Sequence, residues 1–195
     1  MKNINEKTAQ FSLRGLFQPR DLTEGTPWKT ILAFALPIII SYLLQQVYTI
    51  SDAAIVGQTL TAGEVAGVND TASIIFIFLQ FAFGVSAGFC VVTAAEVGAH
   101  HEAGVRRSLA AQILLSAALT VLLTGLALLL LKPMLAWINV TPESPEVYRA
   151  AHTYCAIIFA GIGAQLFYNF ICSFLRSMGD SVTPLLFLLF STILN

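Results

Sequence analysis

Residues 108–131 of the chain read SLAAQILLSAALTVLLTGLALLLL, an almost entirely apolar stretch without a charged side chain. About 20 apolar residues in helical conformation cross the hydrocarbon core of a bilayer. The stretch therefore predicts a membrane-spanning helix. The whole chain has the same character, since 56% of its 195 residues are apolar and 11% are charged, against roughly 25% charged in soluble domains. This composition excludes a soluble domain, a disordered chain and a secreted disulfide scaffold, and it predicts an all-α, polytopic membrane protein.

Further apolar segments on both sides of this stretch bring the predicted total to about five spans. The fifth segment, residues 185–195, is shorter than the roughly 17 residues that a span needs. We therefore expect the chain to be part of a longer protein; a re-entrant C-terminal hairpin is the alternative. The predicted spans are Trp28–Gly57, Thr71–Ala95, Ser108–Leu131, Val147–Leu175 and a truncated one from Leu185, joined by links over 58–70, 96–107, 132–145 and 176–184.

The basic residues predict the orientation of the chain in the membrane. The first link carries Glu64 and Asp70 without any Lys or Arg, whereas the second carries Arg106 and Arg107. Because Lys and Arg are enriched in cytoplasmic loops, residues 1–27, which hold two lysines and two arginines, are predicted to be a cytosolic tail. Residues 28–195 would then form a multi-pass unit in the cell (inner or plasma) membrane.

Several function classes find no support in the sequence. A formal net charge of −1 provides no basic field for nucleic acid. The three cysteines all lie within apolar segments and have no metal-ligand spacing. A glycine-rich phosphate loop and a nucleophile with a plausible base are also missing from the sequence. We therefore predict no catalytic residue, no metal site and no enzyme activity.

A polar stripe on the first predicted span is the strongest indication of function. Ser41, Gln45, Tyr48 and Asp52 follow spacings of four, three and four, so they share one helix face, and Pro37 lies one turn earlier on that face. A buried ionisable residue such as Asp52 usually faces a bundle interior or a water-filled cavity. Proline removes a backbone hydrogen bond and bends a helix. The stripe predicts a helix that lines an aqueous cavity; an outer-interface position for Asp52 and simple helix-to-helix bonding by Ser41 and Gln45 are the alternatives.

The fourth predicted span repeats this pattern. Gln165, Asn169, Ser173 and Arg176 follow spacings of four, four and three on one face. We expect Gln165 and Asn169 to line the same cavity as Ser41 and Gln45. Small residues predict close helix packing at two places, namely Gly84 with Gly88 on the second span and Gly161 with Gly163 on the fourth.

Several short motifs together resemble the first half of multidrug and toxic compound extrusion (MATE) transporters. They occur in the family's order and on the corresponding helices, and they cover nearly the whole chain. The motifs are DLTEGTPW (21–28), ALP (35–37), LQQVY (44–48), Asp52, IVG (55–57), GAH (98–100), VRR (105–107) and FLRSMGDSVTP (174–184).

The resemblance implies a twelve-helix fold of two six-helix lobes, of which this chain would be helices one to five of the first lobe. It implies export of cationic or aromatic compounds in exchange for H⁺ or Na⁺, with no other cofactor. Asp52 matches the family's ion-coupling aspartate, Tyr48 the tyrosine one turn before it, and Pro37 a bending proline. Asn195 matches an asparagine on the fifth helix that faces the same site, and the family's second carboxylate would lie just past the end of this chain.

The expected partners are the lipid bilayer, a small organic substrate and the missing C-terminal helices or second lobe. In this hypothesis, neutralising Asp52 bends the first helix at Pro37 and closes the cavity near Gln45 and Asn169. Two alternatives remain. One is a flippase-like exporter of the wider superfamily, which a basic cavity would favour. The other is a non-transporting membrane scaffold or an inert truncated product.

Overall fold

The computed structural model describes Leu22 and residues 25–194; the predictions for residues 1–21, 23 and 24 of the tail and for Asn195 lie outside the described residues. Within them the chain forms seven α-helices and no strand, which confirms the all-α class. The helices are α1 (Pro27–Thr59), α2 (Ala62–Asp70), α3 (Ala72–Gly98), α4 (Glu102–Trp137), α5 (Pro145–Ala160), α6 (Ile162–Ser177) and α7 (Val182–Leu194).

The apolar helices are long enough for a multi-pass membrane protein. Three segments can each cross a bilayer by length and composition, namely α1, α2 with α3, and α4. α5 and α6 together form a fourth candidate span with a bend of 44° between them. α7 is a shorter apolar helix at the position of the predicted truncated fifth span.

The polar link predicted over residues 58–70 is largely helical, because α2 occupies it. Thr61 begins this helix with a capping box. The Thr61 hydroxyl accepts a hydrogen bond from the backbone N–H of Glu64 (3.3 Å), and the Glu64 carboxylate accepts one from the backbone N–H of Thr61 (3.0 Å). These reciprocal bonds satisfy two donors that the first turn of a helix otherwise leaves free. The spacing of Thr61 and Glu64 was the sequence signal for this helix.

The predicted turn-rich link 132–145 is wrong in its first part, since α4 continues through Pro133 to Trp137. An interior proline removes one helical hydrogen bond. Here Leu131 and Leu135 are buried on either side of Pro133 and anchor the helix to the core. The non-helical connection is thereby reduced to residues 138–144.

The predicted fourth span is divided at Gly161, where α5 ends and α6 begins. The backbone N–H of Gly161 lies within hydrogen-bond distance of both Ile157 O (3.0 Å) and Ile158 O (3.1 Å). A shared N–H of this kind is typical of a helix terminus. The two helices meet at a bend of 44°, and α6 carries polar residues that line a cavity described below.

Packing separates the helices into two groups. α3 packs on α6 and α4, α4 packs on α5 and α6, and α2 packs on α5, whereas α1 packs chiefly on α7. The largest fully buried side chains of the first group include Phe159, Leu135, Ile162 and Leu166. The core therefore lies among α3, α4, α5 and α6, and the α1–α7 pair lies beside it.

Close helix packing was predicted at two pairs of glycines, and the structure has it at one of them. A Cβ added at Gly163 would lie 2.9 Å from Thr120 Cγ2, which confirms close packing of α6 on α4 at that glycine. Gly84 and Gly88 instead face open space in the described part of the chain, so the prediction of tight packing at this pair is wrong there. Spacing alone shows that two glycines share a face; it does not show that another helix covers that face.

Candidate functional site

A cavity of about 290 Å³ lies between the α1–α7 pair and the core helices α3 and α6. All four predicted cavity residues line it: Ser41 and Gln45 from α1, and Gln165 and Asn169 from α6. Their role toward a substrate stays a prediction, but their convergence in one space is a feature of the fold. The other lining residues are Tyr42, Leu79, Gln80, Phe83, Tyr168, Cys172, Ser173, Arg176 and Leu188.

Helical periodicity explains how α6 contributes so many of these side chains. Gln165, Asn169, Ser173 and Arg176 recur at intervals of three or four residues and all line the cavity. Residues 178–181 connect the end of α6 to the start of α7. Gly179 has a positive φ of 85°. Asp180 Oδ1 accepts hydrogen bonds from the backbone N–H groups of Val182 and Thr183 at the start of α7. The motif that includes Arg176 therefore joins two cavity-lining helices.

Two buried donors in the cavity wall lack a partner. Asn169 is 6% exposed, and its Nδ2 forms no hydrogen bond within the described residues. The same is true of Arg176 Nε. The Ser41 hydroxyl, in contrast, is already satisfied, because it donates to the carbonyl of Pro37 at 2.8 Å. A buried donor without a partner is costly, so a rearrangement that exposes Asn169 Nδ2 or Arg176 Nε to the cavity would let a ligand or water molecule supply the acceptor.

The charge and shape of the lining point to the kind of ligand that fits. Arg176 is the one formally charged side chain among the described lining residues, and no carboxylate joins it. Tyr42, Phe83 and Tyr168 add aromatic rings. The cavity thus combines flat apolar surfaces with amide and guanidinium donors, an arrangement suited to a small organic molecule that carries ring systems and acceptor atoms.

Asp52 and Tyr48 lie on the same helix as the cavity but outside its lining. Both are half-buried. Asp52 follows Gln45 by seven residues, which corresponds to about 10 Å along a helix axis. Its carboxylate interacts electrostatically with Tyr154 on α5. Asp52 thus interacts with a residue of another helix; the third predicted ion ligand, Asn195, lies outside the described residues.

Sequence reasoning missed two polar features. One is Tyr154 on α5, which interacts electrostatically with Asp52 although the two residues are far apart in the sequence. The other is a buried network between α3 and α4 in which Gln112 Nε2, with two N–H donors, lies within hydrogen-bond distance of the Phe89 carbonyl (2.9 Å), the Ser108 hydroxyl (3.0 Å) and the Thr93 hydroxyl. Cys90 Sγ donates to Gln112 Oε1 at 3.4 Å. The spacing of Ser108 and Gln112, four residues apart in an apolar segment, was the available signal.

The described residues form an all-α, multi-pass membrane unit with a polar cavity, and comparison with known proteins identifies its family. The MatE family model matches residues 37–195, so the chain belongs to the MatE family. This confirms the resemblance to MATE transporters found in the sequence motifs.

Two curated relatives come from Bacillus subtilis (strain 168). The chain is 30% identical over 181 residues to the "Probable multidrug resistance protein YpnP", an alignment that covers 90% of this chain and 39% of that protein. It is 26% identical over 168 residues to the "Probable multidrug resistance protein YoeA", which covers 86% and 36% respectively. The chain thus spans well under half the length of these relatives.

Two solved structures share the fold. One is a MOP superfamily transporter from Pyrococcus furiosus, whose binding pocket is described as having reverse polarity that suggests a different function. The TM-score with this structure is 0.80 at 23% identity, and the match covers 89% of this chain and 37% of that one. The other is a MATE protein in complex with MaD3S, with a TM-score of 0.79 at 23% identity and coverage of 89% and 38%.

Proposed function

We propose that this chain forms helices of one lobe of a secondary active exporter that moves small organic compounds by antiport with H⁺ or Na⁺. The observation that carries the proposal is the cavity in which α1 and α6 bring Ser41, Gln45, Gln165 and Asn169 together. Membership of the MatE family supports export as the direction of transport. The rest of the lobe and a second lobe would be supplied by additional helices.

Asp52 is the proposed coupling residue. It lies on the helix that also carries Ser41 and Gln45, so a cation or proton that neutralises it acts directly on a wall of the cavity. The ion drives a conformational change only to the extent that it binds one of two states more tightly. Tyr48, one turn before Asp52, and Asn195 are proposed to assist ion binding.

The test is substitution of this carboxylate in the complete transporter, reconstituted in vesicles with an imposed H⁺ or Na⁺ gradient. Asp52→Asn is expected to reduce gradient-driven dye efflux to the level of protein-free vesicles and to leave membrane insertion unchanged. Asp70→Asn, which alters an exposed carboxylate at the end of α2, should transport normally. Undiminished efflux by Asp52→Asn would refute the coupling role, and absence of transport by the wild type would favour a non-transporting scaffold.

A second candidate function, a flippase-like exporter of anionic compounds, is favoured by one observation. The cavity contains the guanidinium of Arg176 with an unpaired Nε, next to the unpaired amide of Asn169, and none of its described lining residues is acidic. Arg176→Gln separates the two candidates. It should abolish transport of an anionic, lipid-linked substrate, whereas transport of a cationic dye should be unchanged or faster.

The orientation proposed from the basic residues places the N-terminus in the cytoplasm of the cell. Single cysteines introduced at Asn139 and His100, in the connections that follow and precede α4, test this in intact cells. A membrane-impermeant thiol reagent should label the cysteine at position 139 and spare the one at position 100. The reverse pattern would invert the topology.

A further inference from the structure

A second cavity lies at the end of the bundle where α4 ends and α5 begins. Its volume is about 450 Å³. Lys132 from α4 and Arg149 and His152 from α5 line it, together with the hydroxyl-bearing side chains of Tyr148 and Thr153. We call it the α4–α5 pocket. Since α1 contributes no residue to it, it is separate from the cavity proposed to bind the transported compound.

Basic side chains line the α4–α5 pocket, and Arg149 also lines an adjoining cavity that contains Glu64 and Glu146. No carboxylate lines the pocket, and the ion pair found among the described residues, between Glu96 and His101, lies elsewhere. The nearby Glu146 is engaged in another direction, because its Oε1 accepts a hydrogen bond from the Thr61 hydroxyl at the start of α2. Lys132 and Arg149 thus share a space that no described carboxylate lines, and like charges in such a site repel each other.

The pocket lies at the depth expected of a membrane interface. Lys132 directly follows the apolar stretch 108–131 and precedes Trp137 by five residues, or about 7.5 Å of helix. Trp137 is 85% exposed at the end of α4, and tryptophan is enriched at the level of the lipid headgroups. Lysine near a helix end extends its ammonium group to the same level.

Aromatic and hydroxyl-bearing side chains line the pocket beside its basic groups. The rings of Tyr148 and His152 lie 6.0 Å apart between centroids with an angle of 35° between their planes, so each limits the orientation of the other. Arg149 can bind two oxygens of one phosphate, and Lys132 provides a mobile point charge. Basic pockets between membrane helices on the cytoplasmic side bind anionic lipid headgroups, and the same charge attraction acts in the outer leaflet, which the proposed orientation places next to this pocket.

We propose that the α4–α5 pocket binds the phosphate group of an anionic phospholipid in the adjacent leaflet. The bound phosphate would bridge Lys132 on α4 and Arg149 on α5, two helices whose connection, residues 138–144, is non-helical. A lipid phosphate is preferred to free phosphate because the pocket lies beside the apolar surface of the helices, where the lipid acyl chains would also be buried.

Native mass spectrometry of the purified full chain tests the proposal, with phosphatidylglycerol, phosphatidylcholine and inorganic phosphate as probes. The wild type is expected to retain phosphatidylglycerol in preference to phosphatidylcholine. The double variant Lys132→Gln/Arg149→Gln should lose this retention by about fivefold for each charge removed. The matched control Arg106→Gln/Arg107→Gln removes the same charge from exposed positions in the first turns of α4 and should retain the lipid within about twofold.

Three results would overturn the proposal. Equal loss of lipid in the control pair would show a general effect of surface charge. Equal retention of the two lipids by the wild type would show that the headgroup charge is not recognised, and this comparison needs no folded variant. Displacement of phosphatidylglycerol by millimolar inorganic phosphate would identify a site for the free anion. The charge-conserving variant Lys132→Arg/Arg149→Lys should keep most of the lipid.

Discussion

Two buried amide side chains of this protein are in opposite states. Gln112 is 3% exposed and bonded to several partners, whereas Asn169 is 6% exposed with an unpaired Nδ2. A buried amide with its hydrogen bonds made holds neighbouring helices together, whereas one with an unpaired donor lowers the stability of the fold. The two residues should therefore respond differently to the same substitution.

Gln112→Leu is expected to destabilise the protein by about 1 kcal/mol or more, because it breaks the bonds from α4 to the Phe89 carbonyl and the Thr93 hydroxyl on α3. Side-chain hydrogen bonds between membrane helices average about 0.6 kcal/mol each. Thermal unfolding in detergent measures the change. An unaltered unfolding temperature would mean that apolar packing compensates fully and that the network does not hold α3 to α4.

Asn169→Leu should leave the unfolding temperature unchanged or raise it, because it removes an unpaired donor from a buried position. Binding of a transported compound should weaken by about twofold to tenfold, the value of one hydrogen bond. Fluorescence titration of a dye substrate on the complete transporter measures this. Loss of stability with unchanged binding would assign Asn169 a structural role instead.

At the scale of single elements, α2 is held in place by its cap and by a close approach to α5. A Cβ added at Gly67 would lie 2.6 Å from the carbonyl oxygen of Val147 and 3.1 Å from Ala150 Cβ. The Thr61 hydroxyl, besides capping α2, donates to Glu146 on α5. Glycine at position 67 is therefore required by contact with a neighbouring helix.

Gly67→Ala is expected to destabilise the protein by about 1–3 kcal/mol, the usual cost of overpacking, because backbone atoms of α5 cannot yield as a flexible side chain would. Gly84→Ala is the matched control on a glycine that faces open space. It should be neutral or slightly stabilising through helix propensity. Equal unfolding temperatures for the two variants, measured in detergent, would show that α2 is free to move away from α5.

The sequence predicted those features that depend on local periodicity. Apolar length located the membrane helices, and spacings of three and four placed Ser41 with Gln45 and Gln165 with Asn169 on single faces. The pairing of helices is not local: nothing near Tyr154 indicates that it will lie near Asp52, and nothing near Gly84 indicates that its face stays open. The break at Gly161 was also missed, because an apolar sequence without proline continues equally well through it.

At the scale of the whole molecule, the cavity is a gap between two groups of helices. α1 packs chiefly on α7, and the other helices pack on one another. Movement of the α1–α7 pair would therefore change the cavity with little disturbance of the buried core. Asp52 belongs to the α1–α7 pair and Tyr154 to α5 in the other group, so neutralisation of Asp52 would alter an electrostatic interaction between the two groups.

This arrangement makes Pro37 the position at which α1 is expected to flex. Pro37 is buried, and α1 runs through it as a continuous helix. Proline cannot donate to the carbonyl four residues earlier, so the helix is weakened one turn before the cavity residue Ser41. Pro133 is a suitable comparison for Pro37. It is an exposed proline inside α4, and it does not line the cavity.

Pro37→Ala restores the missing hydrogen bond and should stiffen α1. In the complete transporter we expect severalfold slower dye efflux with unchanged dye binding and unchanged membrane insertion, since the cavity residues remain in place. Pro133→Ala also restores a helical hydrogen bond, but in α4, and it should transport at the wild-type rate. Equal efflux by the two variants would show that transport does not require flexing of α1 at Pro37. A loss of dye binding by Pro37→Ala as large as its loss of efflux would show that this proline determines the shape of the cavity and not its movement.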